Sequence, residues 1–320
     1  MLPMEKRNWV EYERNLIARK KKIAEFFLRK PTKEELEAEL EKMNKGKQGH
    51  RFEIPETVIA YFQFLKSVAR TDDRLLIMQL TVFQNQIMET TRDDFNHSAI
   101  VKRRQTLDFD IPFNIAPNSL DGKRLYFDGM CLRVGRGGNY RSKKYGTAVK
   151  YLRVGLFSDD EGKTVDFTIG DEHDAEINMI REKKDDILKS GADAMVVDGA
   201  GSAIDLVVDL TKARIKPIIR ASTAVVEAHQ TVPPSDQCIR ERKLDDLIWD
   251  KYVKEQTDYQ KWRKETDYSS RWPFSEGKIS SFKRMFGEEV LHKKQKTMHD
   301  EICAKFMILD AKLPRLWPTR

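Results

Sequence analysis

Three carboxylates in this chain stand where a hydrolytic site would want them. Asp128 follows the apolar run Leu125-Tyr126-Phe127, Asp198 follows Ala194-Met195-Val196-Val197, and Glu276 opens a late amphipathic segment. Carboxylates offer the hard oxygen ligands that Mg²⁺ accepts while it keeps other positions for water and phosphate. A pair of such ions can deprotonate an attacking water or 3′-hydroxyl and stabilise the leaving oxygen of a phosphodiester. In that scheme Asp128 bridges both ions and Asp198 and Glu276 each complete one, with Mn²⁺ able to replace Mg²⁺. No covalent enzyme intermediate is required. Taken singly, each residue has a plain structural role. Asp-Gly after an apolar run is commonly a turn, an Asp closing a strand is commonly a cap, and a lone Glu on a helix is commonly just solvated. The chemical reading rests on three carboxylates falling at three element positions in one order.

Periodicity supplies the elements that must position them. Residues 124–127 read as a short strand ending in Asp128-Gly129, and 148–157 alternate as a second strand. The polar run 158–162 is a turn, so 164–169 pairs back as a third strand. Asp174 can cap a helix over 175–189. Residues 194–197 form a buried strand ending in Asp198, 204–213 a helix, and 216–220 a fifth strand. Helices over 273–286 and 288–308 follow. The expected fold class is α/β, a mixed five-stranded sheet flanked by helices in the RNase H-like order. On the helix over 273–286, Glu276 and Lys283 lie seven apart and share a face at about 100° per residue. They flank the apolar stripe Ile279, Phe282 and Phe286. Glu276 then sits at the rim of the buried face, and Lys283, two turns along, can meet phosphate.

Upstream, the sequence reads as all-α. Residues 1–50 carry a highly charged pair of helices, the charges of a solvated helical arm. Residues 51–111 contain three short helices, the third bearing Lys102-Arg103-Arg104. Three helices with a basic last one fit a helix-turn-helix module, whose final helix enters the major groove, and fit a plain three-helix bundle equally well. Residues 112–123 read as a linker. The remainder, 124–320, is the expected catalytic domain, with an insertion around 221–267.

The segment Tyr268-Ser-Ser-Arg271-Trp-Pro-Phe-Ser-Glu276, continuing to Lys283-Arg284, resembles the Tyr-Arg-Glu-Lys signature of insertion-sequence transposases with a DDE catalytic domain. That signature places two residues between Tyr and Arg, three between Arg and Glu, and six between Glu and Lys. Here four residues separate Arg271 from Glu276, and the extra one falls near Pro273. The segments around Asp128 and Asp198 resemble the family's two Asp segments, and Gly170-Asp-Glu-His173-Asp174 resembles its Gly-x-x-His-Asp segment. The resemblance covers roughly 124–310, and more loosely the region from Gly46. It implies an RNase H-like DDE enzyme that uses two Mg²⁺ ions to cut double-stranded DNA at terminal inverted repeats and join it to target DNA. It further implies a homodimer that pairs two ends, with Tyr268, Arg271, Lys283 and Arg284 on DNA. A domesticated DNA-binding descendant and another RNase H-like nuclease are the alternatives.

Composition agrees with a polyanionic partner. The formal net charge is +7 over 320 residues, 34 % of them charged, and positive potential holds phosphate backbones. Three widely spaced cysteines without a CxxC pair argue against a disulfide framework or zinc finger. The start shows no secretory signal, and no apolar stretch is long enough to span a bilayer. The expected location is therefore cytoplasmic, on the nucleoid in a prokaryote. Gly135-Arg-Gly137-Gly138 lacks the Lys-Ser/Thr of a phosphate loop and reads as a turn. His173 reads as structural, and Trp249 and Trp262 as ordinary packing.

Overall fold

The computed structural model describes residues 9–69, 73–91, 95–107, 112–135, 150–231, 244–292 and 294–312. The chain divides into two compact units, Met1–Pro112 with Val290–Arg320, and Phe113–Glu289.

The first unit is helical. Its elements are α1 (Trp9–Leu28), α2 (Lys33–Asn44), α3 (Glu56–Ala69), α4 (Asp73–Met88) and α5 (His97–Thr106), joined by a C-terminal helix over Gln295–Asp310. A capping box starts α2: the Glu35 N–H donates to Thr32 Oγ1 at 3.2 Å while the Thr32 N–H donates to Glu35 Oε2 at 2.9 Å. Leu36, Val58, Ile59, Phe62, Leu76, Leu80 and Ile100 form the core, and Phe26 and Phe27 pack against it. Within residues 9–50, Leu36 and these two rings tie the helices into this core, so this stretch is no free arm.

Sequence reading groups the last helix with the catalytic domain, whereas it packs with the N-terminal helices. Ile302, Cys303, Ala304, Phe306, Met307 and Ile308 are all buried, and a helix segment buried on every side needs neighbours all round. The charged Glu301 and Lys305 are buried with them. Glu301 accepts from the backbone N–H groups of Leu291 and His292, from His292 Nδ1 at 2.7 Å and from Lys305 Nζ at 2.6 Å. Truncating this acceptor would cost about 3–5 kcal/mol by stranding a buried charge.

The second unit is a mixed open sheet with helices on both faces. Strands β1 (Arg124–Val134), β2 (Tyr151–Asp159) and β3 (Thr164–Asp171) form an antiparallel meander. Strands β4 (Ala194–Val197) and β5 (Lys216–Ile219) extend it in parallel, in the order β3-β2-β1-β4-β5. A two-residue strand, β6 (Glu289–Val290), pairs with β1 off this path, so it replaces the start of the helix expected over 288–308. The helices are α6 (Glu176–Glu182), α7 (Lys184–Lys189), α8 (Ile204–Lys212), α9 (Thr223–Thr231), α10 (Leu244–Glu255), α11 (Tyr259–Glu265) and α12 (Gly277–Phe286).

Strand alternation decides which side chains meet which layer. Leu125, Phe127 and Phe157 pack with Met179, Ile180, Leu206, Val207 and Val253 on one face. Tyr126, Val196 and Ile218 pack with Trp262 and Tyr268 on the other. Each fully buried ring or branched chain contributes about 1.5–3 kcal/mol, and both faces are covered, as parallel strands require.

Three details depart from the sequence reading. The helix expected over 175–189 breaks at Lys183. Asp174 does not cap it; its carboxylate accepts the Asp171 N–H at 2.7 Å and closes the preceding turn. Strand β1 does not end before Asp128 but runs seven residues past Phe127, because β2 pairs with it along its length. The glycine-rich turn at 136–139 lies outside the described residues.

Candidate active site

Asp128 lies inside β1, opposite Leu156 of β2, yet it is at an end in a second sense. Strand β4 pairs with β1 only from Arg124↔Ala194 to Tyr126↔Val196. Two positions further on, the same register brings Asp128 level with Asp198, the first residue beyond β4. The site forms where β1 outruns its short parallel neighbour.

Asp198 continues the extended backbone out of β4, and its Oδ1 accepts the Ala200 N–H at 2.7 Å, capping the short 3₁₀ turn Gly199–Gly201. The other oxygen, Oδ2, lies 3.6 Å from Arg271 Nη1. Arg271 Nη2 donates to Glu276 Oε1. One half-buried guanidinium therefore bridges two carboxylates that lie far apart in the unit's sequence.

The link between Arg271 and Glu276 has a local cause. Five positions apart on a regular α-helix they would point about 140° away from each other. Trp272–Glu276 instead forms a π turn that leads into α12, with the Gly277 N–H donating to the Trp272 carbonyl. This wider turn takes up one residue, so Arg271 and Glu276 return to one side. Phe274 secures the turn against the sheet: its ring packs on Tyr126 at 5.0 Å and its carbonyl accepts Ser158 Oγ at 2.7 Å. Lys278, buried at the start of α12, donates to the Gly162 carbonyl at 2.5 Å.

A fourth carboxylate, which sequence reading missed, belongs to this group. Glu176 opens α6, and its side chain lies against the backbone of Gly129; a methyl group there would come within 2.8 Å of its carboxyl carbon. Only a glycine after Asp128 lets it approach so closely. An acidic residue in a first helical turn is ordinary, so nothing in its own segment distinguishes it.

The electrostatics record the crowding. Burial pushes the Asp128 carboxyl up to about 6; Arg271 and the Gly129 N–H oppose this, and Glu276 and Glu176 add to it. Burial likewise raises Glu176, helped by Asp198 and opposed by Arg153 and Arg271. Among the described residues, Arg271 acts on all four carboxylates and Arg153 on Glu176. Among the described residues, no group of three or more His, Cys, Asp or Glu side chains stands ready-made around one ion position. Arg271 already occupies the space between Asp198 and Glu276. The four side chains offer only oxygen donors, the type that hard divalent cations prefer.

The remaining expected residues divide between use and packing. Tyr268 is buried against Trp262 at 5.1 Å, and Arg271 lies 5.6 Å over its ring. Lys283 sits 3.3 Å from Glu288, and Arg284 is exposed. His173 is exposed, 3.3 Å from Glu172. Trp262 is core, and Trp249 stacks on Tyr252 at 5.5 Å. In the helical unit Lys102 is exposed. Arg103 donates to the Ile54 carbonyl at 2.8 Å and lies over the Phe52 ring, and Arg104 is buried.

No protein-family profile and no curated protein matches this chain. No helix among the described residues is long and apolar enough to cross a membrane.

Proposed function

We propose that the chain is a DDE-type DNA transposase whose sheet unit is an RNase H-like nuclease domain. It would cut double-stranded DNA at the ends of a mobile element and join the freed end to target DNA, as a dimer that pairs two ends. Asp128, Asp198 and Glu276 are the residues that would hold two Mg²⁺ ions, or Mn²⁺ in their place. Such ions, when bound, activate the attacking oxygen and neutralise charge at the phosphorus.

The chain's own groups have distinct tasks in this reading. Asp128, partly withdrawn from water, presents a carboxylate that gains most from a cation. Arg271 carries a planar fork of donors suited to phosphate as well as carboxylate; it can trade Asp198 and Glu276 for the DNA backbone. Tyr268 supports Arg271 from below. Lys283 and Arg284 on α12, and the exposed Lys102 in the helical unit, carry positive charge for flanking phosphates.

The observation that carries the reading is the π turn. In the resembling family three residues separate Arg from Glu, which on an α-helix leaves them about 40° apart. Here four residues intervene, and the turn widens by one, so the same pairing results. The test is cleavage and strand transfer in Mg²⁺ on DNA carrying the repeats that flank the gene, comparing the wild type with Asp198→Asn. Loss of cleavage by about 10³-fold or more with DNA binding retained is expected for a metal ligand. Equal cleavage by both proteins would overturn the assignment.

A further inference from the structure

At the opposite end of the parallel strands from these carboxylates, the edge of the sheet opens into a cleft of about 420 Å³. Lys216 starts β5 level with Ala194, whereas Asp198 follows the last residue of β4. Helices α8 and α10 wall the cleft and are joined by Lys212 and Asp245 at 2.6 Å. Beyond it, Gln256 seals the edge of β5, donating to the Ile219 carbonyl at 3.1 Å and accepting the Ala221 N–H at 2.8 Å. Within it, the half-buried Pro217 and Ile248 make an apolar floor. Arg214, Lys216 and Lys251 line it and are exposed; among the described residues their side chains have no hydrogen-bond or ion-pair partner. Glu255 is the acid of the lining, one turn from Lys251 and not paired with it. Arg214 has a φ of 65° in the turn that closes α8, where its N–H donates to the Thr211 carbonyl and the Ile215 N–H to that of Leu210. Glycine is the usual residue at such a position. A side chain there is strained, and no pairing among the described residues offsets the strain.

We infer that this cleft binds a nucleoside monophosphate, with the phosphate on Arg214, Lys216 and Lys251 and the base laid over Pro217 and Ile248. Three cations against one acid leave an excess of two positive charges. That matches the charge of about −1.5 to −2 on a phosphate monoester at pH 7; a carboxylate would leave part of it unanswered. The planar donor fork of Arg214 suits phosphate oxygens, and the volume lies in the range of small-molecule sites. Glu255 can accept from a sugar hydroxyl or from the amine of a base. A free nucleotide and the phosphorylated 5′ end of a DNA strand present the same group. The site stands apart from the carboxylate cluster and does not depend on the nuclease reading.

The experiment is calorimetric titration of deoxyadenosine 5′-monophosphate into the full chain in chelator. Deoxyadenosine, and one short DNA strand with and without a 5′ phosphate, are titrated beside it. The variants are Arg214→Gly, Lys251→Gln and the exposed control Lys189→Gln, each also followed by thermal melting. Arg214→Gly and Lys251→Gln are expected to weaken nucleotide binding about tenfold or more, and Lys189→Gln to leave it unchanged. Deoxyadenosine should bind more weakly than the nucleotide by a similar factor. Arg214→Gly should melt no lower than wild type, because glycine is at ease at that backbone angle, so its loss of binding is not a loss of fold. If the phosphorylated strand binds more tightly than the nucleotide, and only with its phosphate, a strand end is the source; otherwise it is the free nucleotide. Both outcomes support the site when the same variants abolish the binding. No binding at millimolar nucleotide, wild-type affinity in Arg214→Gly and Lys251→Gln, or deoxyadenosine binding as tightly as the nucleotide would overturn the inference.

Discussion

At the scale of single residues, Asp128 is the group whose surroundings say most. Its carboxyl binds a proton more tightly in the folded chain than in the unfolded one, with a value of about 6 against an ordinary 3.8. Between those values the folded state holds more protons, so stability falls as pH rises through that window. Without metal, Asp128→Asn should therefore raise the melting temperature by about 2–4 °C at pH 8, and the gain should fade towards pH 4. Thermal melts of both proteins across that range, in chelator, would check it; an equal gain at both ends would point to another cause. That Asp198 follows β4 and that Glu276 lies beside the stripe of the late helix were legible from the apolar runs next to them; that Asp128 lies inside β1 was not. Glu176 was not, because its place depends on the missing side chain of Gly129, a tertiary fact. Nor was the burial of Arg104: three consecutive helix positions spread over about 200°, and sequence does not say which of them faces inward.

At the scale of elements, the Arg271–Glu276 pairing depends on how many residues one turn contains. The late helix was legible from the stripe Ile279, Phe282 and Phe286, but its start was not, since a π turn has no pattern of its own and forms only because Phe274 is held by Tyr126 and Ser158. Removing the exposed Pro273 should let an ordinary α turn form with Arg271 and Glu276 still on one side, keeping cleavage within about tenfold of wild type. Adding an alanine after Pro273 should separate them by about another 100° and abolish cleavage. The assay on inverted-repeat DNA measures both, and loss of cleavage in a well-folded deletion would contradict this view of the turn. The length of β1 was hidden for a related reason. Asp128-Gly129 looks like a turn locally, and only the pairing with β2 draws the strand through it.

At the scale of the whole molecule, the order β3-β2-β1-β4-β5 is what brings Asp128 and Asp198 level; an antiparallel hairpin sheet extended by parallel strands was anticipated from the succession of elements. The reach of the C-terminal helix was not. Its apolar surface announces burial, but which unit buries it is decided by partners far away in sequence. The most direct test of the central claim concerns the scissile phosphate itself. DNA carrying sulfur in place of a non-bridging oxygen there should be cut poorly in Mg²⁺ and recover in Mn²⁺, because the harder ion binds sulfur badly. Recovery in wild type, and none in Asp128→Asn, is the predicted result. Equal cutting of the sulfur-bearing and ordinary DNA in Mg²⁺, unchanged by Asp128→Asn, would contradict a metal held by these carboxylates at the phosphate.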